Sequence, residues 1–309
     1  MALGRGLTEE NALSYSAAKC FSESKEKYYL TYGCSVRGPQ NVYMGVGSVF
    51  DYLAKGALAY YVNGVGVETE LDADVVASLD QSKAYDVSEV VTLGRKVFQQ
   101  YCRAGLLKVL VDKLLAVKAS GGQWSAAGND RRLVRIADRD VWLTGKTDLW
   151  YQWGPNADIS VGALDGQILD WKVSGILKPG SKKPCTGWTY GFDSLGGRLN
   201  PEGVPFSPGK WDEEWISQQW IYSLITPFWD GGSRGYSIEQ CCWPWWYTYH
   251  WSSVDLDSRF SKVVERAQDR LIGVVDAELS GWDAVLGEAR RAELDLLAQS
   301  YGYLALEML

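Results

Sequence analysis

The stretch from Val141 to Val173 constrains the fold more than any other. It reads V-W-L-T-G-K-T-D-L-W-Y-Q-W, then a connection opened by Gly154, Pro155 and Asn156, then L-D-G-Q-I-L-D-W-K-V. β-Branched and aromatic residues on both sides of a turn-prone segment predict a β-hairpin. Side chains alternate faces along a strand. The second arm therefore puts Ile168, Asp170 and Lys172 on one face and Leu169, Trp171 and Val173 on the other. In the first arm the same alternation puts Asp148 on the face of Lys146 and Trp150. Two carboxylates and a lysine converge in this reading. An acid pair binds a hard divalent cation through oxygen, and an ammonium holds a nearby anion or water, which is a set suited to metal-assisted phosphodiester hydrolysis.

Composition narrows the alternatives. The 309 residues suffice for one large domain or two small ones, and 46% hydrophobic with 22% charged residues is ordinary for a soluble globular chain. No apolar run is long enough to span a bilayer, and the first residues lack the apolar core of a signal peptide, so a cytoplasmic protein without membrane partners is expected. Six cysteines include no C-x-x-C pair, which disfavours zinc and favours reduced thiols. Adjacent Cys241 and Cys242 suit packing on opposite faces of a strand. His250 is the only histidine, so a Ser-His-Asp or Cys-His mechanism would rest on it alone. Its W-W-Y-T-Y-H-W setting predicts a packed or strand-end histidine. The net charge of −7 opposes passive affinity for nucleic acid. A nuclease stays open, because acidic metal ligands add negative charge and basic residues can cluster.

Along the chain, residues 12–32 read as a helix capped by Ser14 or Ser16 and stopped by Gly33. Residues 45–62 read as a second helix with Asp51 on its first or second turn, as a site residue or as an acid favoured near a helix N-terminus. Residues 63–86 look irregular. Residues 87–119 read as a long helical stretch that Gly105 interrupts. A loop over 120–130 precedes the strand R-R-L-V-R-I-A-D and the hairpin.

Residues 175–210 hold eight glycines, five prolines and five Lys/Arg against two acids. This long segment reads either as a basic flap that meets phosphates, through Lys178, Lys182 and Lys183, or as a solvated loop. Residues 211–228 read as a helix with Trp211, Trp215, Gln218 and Tyr222 in one stripe. Residues 235–251 read as one strand that Pro244 pushes towards an edge, its aromatics serving sheet packing rather than base stacking. Helices follow over 256–279 and 283–306.

Taken together, G-K-T-D at 145–148, L-D-W-K at 169–172 and Q-x-x-x-Y at 218–222 resemble the PD-(D/E)XK nuclease superfamily, in its RecB/lambda-exonuclease-like branch and its phage-type members. Ser14 to Tyr29 resembles that branch's opening helix, and G-S-V-F-D at 47–51 its second. The resemblance runs from about residue 12 to 270. It implies an α/β (α+β) restriction-endonuclease-like core, a central mixed sheet flanked by helices with helical additions at both ends. One nuclease domain over 1–309 is expected: a helical part (12–130), a catalytic sheet with the flap (131–251) and C-terminal helices (252–309).

The resemblance also implies roles. Asp148 and Asp170 are the metal carboxylates, the Trp171 carbonyl is a further ligand, and Lys172 positions the attacking water and neutralises charge. Gln218 and Tyr222 support the site or contact DNA. Many members carry a histidine ligand where this chain has Asp51, which keeps an oxygen donor but changes charge and softness. The implied cofactor is Mg²⁺ or Mn²⁺. Some relatives hold a four-cysteine iron–sulfur cluster; its first cysteine would fall near Ser24 and no C-terminal cysteine cluster follows, so none is expected. The implied activity is a metal-dependent DNA exonuclease in phage-type replication, recombination or repair. Expected partners are DNA, a single-strand-annealing or recombinase protein, and further copies of the chain. The competing reading is a non-catalytic nucleic-acid-binding or assembly protein on the same scaffold. A tryptophan-rich glycan-binding module has no supporting constellation.

Overall fold

Strand-forming sequence falls between residues 123 and 252, and amphipathic helices flank it on both sides. The computed structural model describes residues 4–39, 41–66, 76–77, 79, 85–126, 128–157, 165–174, 176, 213–226, 233–243, 245–258 and 260–309. The expected flap over 175–210, with Lys178, Lys182 and Lys183, lies outside the described residues apart from Ile176, as do Cys185, Trp211 and Pro244.

The N-terminal helices are α1 (Tyr15–Glu23), α2 (Lys25–Tyr28, continued as a π-turn to Gly33) and α3 (Val42–Asn63), followed by α4 (Val87–Arg103) and α5 (Leu106–Ala119). Ser14 caps α1 by accepting from the Ala17 N–H, as its sequence position predicts. The single helix expected over 12–32 is broken at Ser24. That residue is extended (φ −158°) and turns its hydroxyl to the Lys27 N–H, giving the backbone a local alternative to a continuous helix. Gly105, at φ 80°, separates α4 from α5 as expected.

The strands are β1 (Gln123–Ser125), β2 (Asn129–Ile136), β3 (Arg139–Lys146), β4 (Leu149–Gln152), β5 (Gly166–Ser174), β6 (Arg234–Cys242) and β7 (Trp245–Ser252). β2 and β3 form a separate antiparallel ribbon, while the main sheet runs β1-β4-β5-β6-β7. β5 and β6 are parallel and the other pairs antiparallel, so the sheet is mixed. The crossover from β5 to β6 contains α6 (Glu213–Ile225). After the sheet come α7 (Ser253–Asp257), α8 (Ser261–Ser280), α9 (Trp282–Leu286) and α10 (Glu288–Tyr301), ending in a 3₁₀ turn. Gly281, at φ 81°, marks the break expected between the last two helices, and Gly287, at φ 83°, splits the one expected over 283–306.

Helices cover both faces of the sheet. On one side Val49, Phe50, Tyr101 and Leu110 pack against Leu149, Leu169, Trp171 and Cys241. On the other, Ile216, Ile221, Leu271 and Val274 pack against Trp150, Ile168, Ile238 and Cys242. Two-sided cover explains why β5 and β6 are buried almost continuously. Each fully buried Leu or Ile here contributes roughly 1.5–3 kcal/mol. Cys241 and Cys242 point to opposite faces as expected, and the five described cysteines are free thiols. No helix among the described residues is long and apolar enough to cross a membrane.

Three expectations change. The first arm of the central hairpin is two strands, not one. Among the strands β3 pairs with β2, with a further single bridge from Leu143 to Leu13, and β4 pairs with β1 and β5. Leu143 of β3 and Trp150 of β4 enter the same core, although one number is odd and the other even. The break at Thr147–Asp148 therefore shifts the alternation by one residue, so Lys146 and Trp150 lie on opposite faces and Asp148 cannot share one with both. Residues 235–251 are a second hairpin, because the chain reverses between Cys242 and Trp245. Its aromatics Tyr247, Tyr249 and Trp251 are buried in the sheet core as expected. The loop over 120–130 contains β1, so the sheet starts before residue 131.

Candidate active site

The break between β3 and β4 frees Asp148 from either strand ladder, beyond the last β4–β5 pair, Leu149 with Leu169. There its Oδ2 accepts the Trp171 N–H at 2.8 Å. A residue's N–H and C=O point to the same side of a strand. The Trp171 carbonyl accordingly also faces the Asp148 side.

Asp170 and Lys172 share the β5 face that looks towards α6. Asp170 is 3% exposed and ion-paired with the Lys172 ammonium. Lys172 Nζ donates to Gln218 Oε1 at 2.8 Å, and Gln218 Nε2 donates to the Tyr222 hydroxyl at 2.7 Å. The i, i+4 spacing of Gln218 and Tyr222 on α6 makes this relay local. Gly145 lets it pack: a Cβ there would lie 2.8 Å from the Tyr222 ring.

Asp51 sits in the third turn of α3, because Asn41 caps that helix well upstream. The helix-terminus reading of Asp51 therefore fails, since the dipole acts within the first turn. Lys55, one turn further on, lies 2.7 Å from Asp51 Oδ1 and 3.9 Å from Asp148 Oδ1. Lys146 Nζ lies 4.0 Å from Asp51 Oδ2. Lys55 was not anticipated from the sequence, although its i, i+4 spacing from Asp51 was legible.

Burial pushes the Asp148 carboxyl well above the usual carboxylate range, and the negative charges of Asp170 and Asp51 push it further. Lys55 and Lys172 oppose this without cancelling it. Among the described residues no three His, Cys, Asp or Glu side chains are gathered as a ready metal cage. A Mg²⁺-sized cation needs only one or two carboxylates besides water and phosphate oxygens. Hard oxygen donors under mutual repulsion fit such a cation.

Behind β5 lies a second polar cluster that the sequence did not reveal. Glu239 Oε2 accepts the Tyr101 hydroxyl at 2.5 Å and the Trp171 indole N–H at 2.9 Å. It thus grips the residue between Asp170 and Lys172. Desolvation pushes the Glu239 carboxyl up to about 7, against the hydrogen bonds and the Lys113 ammonium. A carboxyl raised in the folded state adds stability that is complete below its ordinary value of 4.5 and lost as pH rises through about 7. Glu239→Gln keeps an acceptor oxygen but removes the titration. Relative to wild type, its melting temperature is expected to be similar at pH 5 and higher by a few degrees at pH 8. Parallel thermal denaturation of both proteins checks this; equal curves at both pH values would remove Glu239 from the titrating set.

His250 lies on the same side of the sheet as Glu239, its Nδ1 3.4 Å from Gln167 Nε2. It is half-buried and not part of the carboxylate cluster, as its aromatic setting predicted. Asp51, Asp148, Asp170, Trp171, Lys172, Gln218 and Tyr222 are thus drawn into one connected site. Comparison of the chain with family models, with curated proteins and with solved structures finds no match in any of the three.

Proposed function

We propose that this chain is a Mg²⁺- or Mn²⁺-dependent deoxyribonuclease of the PD-(D/E)XK type, acting as an exonuclease in phage-type replication, recombination or repair. The observation that carries the reading is the linked set Asp148, Asp170, Lys172, Gln218 and Tyr222. Three separate sequence motifs supply it: direct bonds join Asp170, Lys172, Gln218 and Tyr222, and the Trp171 N–H ties Asp148 to the same strand. A mixed sheet in which β5 sits between antiparallel β4 and parallel β6 supports a restriction-endonuclease-like core.

Asp148 and Asp170 would hold the divalent cation, with Asp51 and the Trp171 carbonyl as further oxygen donors. When bound, it supplies Lewis-acid stabilisation of phosphate charge and a more acidic bound water. Asp170 and Gln218 fix the Lys172 ammonium on two sides, so it meets the developing negative charge without reorganising. Tyr222 holds Gln218 in turn. Lys55 neutralises part of the charge on Asp51 and Asp148 before substrate arrives.

The test is incubation of the purified protein with end-labelled linear DNA and closed circular DNA, with Mg²⁺, Mn²⁺ or chelator. Metal-dependent loss of the linear form alone supports the exonuclease. Cutting of the circle replaces it with an endonuclease. A folded protein that cleaves neither favours the non-catalytic binding or assembly reading, with a recombinase or annealing protein as the partner to seek.

A further inference from the structure

We infer that the outward face of the β2–β3 ribbon is a track for a single DNA strand leading into the carboxylate site. This rests on the nuclease reading for its purpose, but its evidence and its test are separate. The inner face of the ribbon turns Val134, Val141 and Leu143 to the core that α6 shares. Among the described residues the ribbon's main helical neighbour is α6, which lies on the inner face. Cross-strand register places Lys146 at one end, then Arg131, then the pair Leu133–Trp142, then the pair Arg135–Asp140.

The chemistry of this row suits one occupant. It carries three cations against one acid, in a chain of net charge −7. Lys146 is 67% exposed and Arg131 is exposed, while Arg135 is partly offset by Asp140 at 3.1 Å. Midway lies an apolar step, with Leu133 47% exposed beside a half-buried indole. Alternating phosphate-reading cations and an aromatic platform match a strand with unpaired bases. A paired duplex keeps its bases away from such a step. The row is continuous with the site, because Lys146 lies 4.0 Å from Asp51. From Lys146 to Asp140 the strand rises ~20 Å, long enough to follow several nucleotides of an extended strand.

The experiment measures anisotropy of a labelled oligothymidylate in chelator, across a salt series, so that no cleavage is needed. Wild type is expected to bind with a steep salt dependence. Arg131→Ala and Lys146→Ala are each expected to weaken binding ~3- to 10-fold and to lower the slope by about 0.7. Both are exposed changes that preserve the fold, and Trp142→Ala, checked for folding by circular dichroism, is expected to weaken binding by roughly 10-fold. Unchanged affinity and slope in the Arg131/Lys146 double variant overturn the track. So does a strong preference for duplex, or a Leu133→Asp change that alters oligomeric mass and not DNA affinity. Cleavage by a protein whose binding ignores the ribbon overturns the track and leaves the nuclease standing. Ribbon-dependent binding without cleavage supports the track and removes the nuclease.

Discussion

Asp170→Asn is expected to reduce metal-dependent cleavage of linear DNA by on the order of 10⁴-fold, the scale of losing one member of a cooperating catalytic set. The substitution is nearly isosteric at a site only 3% exposed, so no cavity forms. It removes one of the negative charges that hold the Asp148 carboxyl up, and Lys172 keeps its bond to Gln218. The fold should therefore survive, with thermal midpoints within a few degrees of wild type. Loss of cleavage with retained folding, together with weaker Mn²⁺ binding by calorimetry, is the expected pattern. Lys172→Met is expected to lose cleavage and keep Mn²⁺ affinity, because its ammonium is no metal ligand. Near-normal cleavage by Asp170→Asn would take the carboxylate out of the reaction.

What the sequence conveyed about the site follows from period and spacing. Alternation along 168–173 fixed which side chains of β5 share a face, since a strand covered on both sides offers no freedom to slip. The i, i+4 spacing of Gln218 and Tyr222 likewise fixed the relay on α6. The shift between β3 and β4 escaped because strand-forming residues resume directly after G-K-T-D, which reads as one continued alternation. Only the separate pairing of β3 with β2 and of β4 with β5 reveals it. The turn between β6 and β7 escaped because Pro244, set among aromatics, reads as the mark of an edge strand rather than of a reversal. Glu239 escaped because a lone acid in an apolar strand has no partner until Tyr101 and Trp171 arrive from distant parts of the chain. The ribbon's outer row was equally silent, because β2 read alone gives no register against β3.

The glycine of G-K-T-D provides the second large effect. Gly145→Ala is expected to destabilise the protein by about 1–3 kcal/mol, the usual cost of forcing extra atoms into a packed core. A Cβ at Gly145 would lie 2.7 Å from the end of Ile225 and 2.8–2.9 Å from two atoms of the Tyr222 ring. Ile225 can swing aside at its methyl end, but an aromatic ring moves only as a whole. Displacing it loosens the Tyr222 hydroxyl from Gln218 and so the amide that steadies Lys172. Cleavage is therefore expected to fall ~10-fold or more, because misplacing a positioned group by an ångström has effects of that size. Gly56→Ala is the matched control. Gly56 lies inside α3 with nothing within 4 Å of a new Cβ, so the change is expected to stabilise the helix by roughly 0.5–1 kcal/mol and to leave cleavage untouched. Urea denaturation and the linear-DNA assay on both variants read the two consequences separately. Activity lost in step with stability across both would mean that Gly145 matters only to folding. A Gly145→Ala protein that is folded under assay conditions yet slow would tie this glycine to the placement of the lysine.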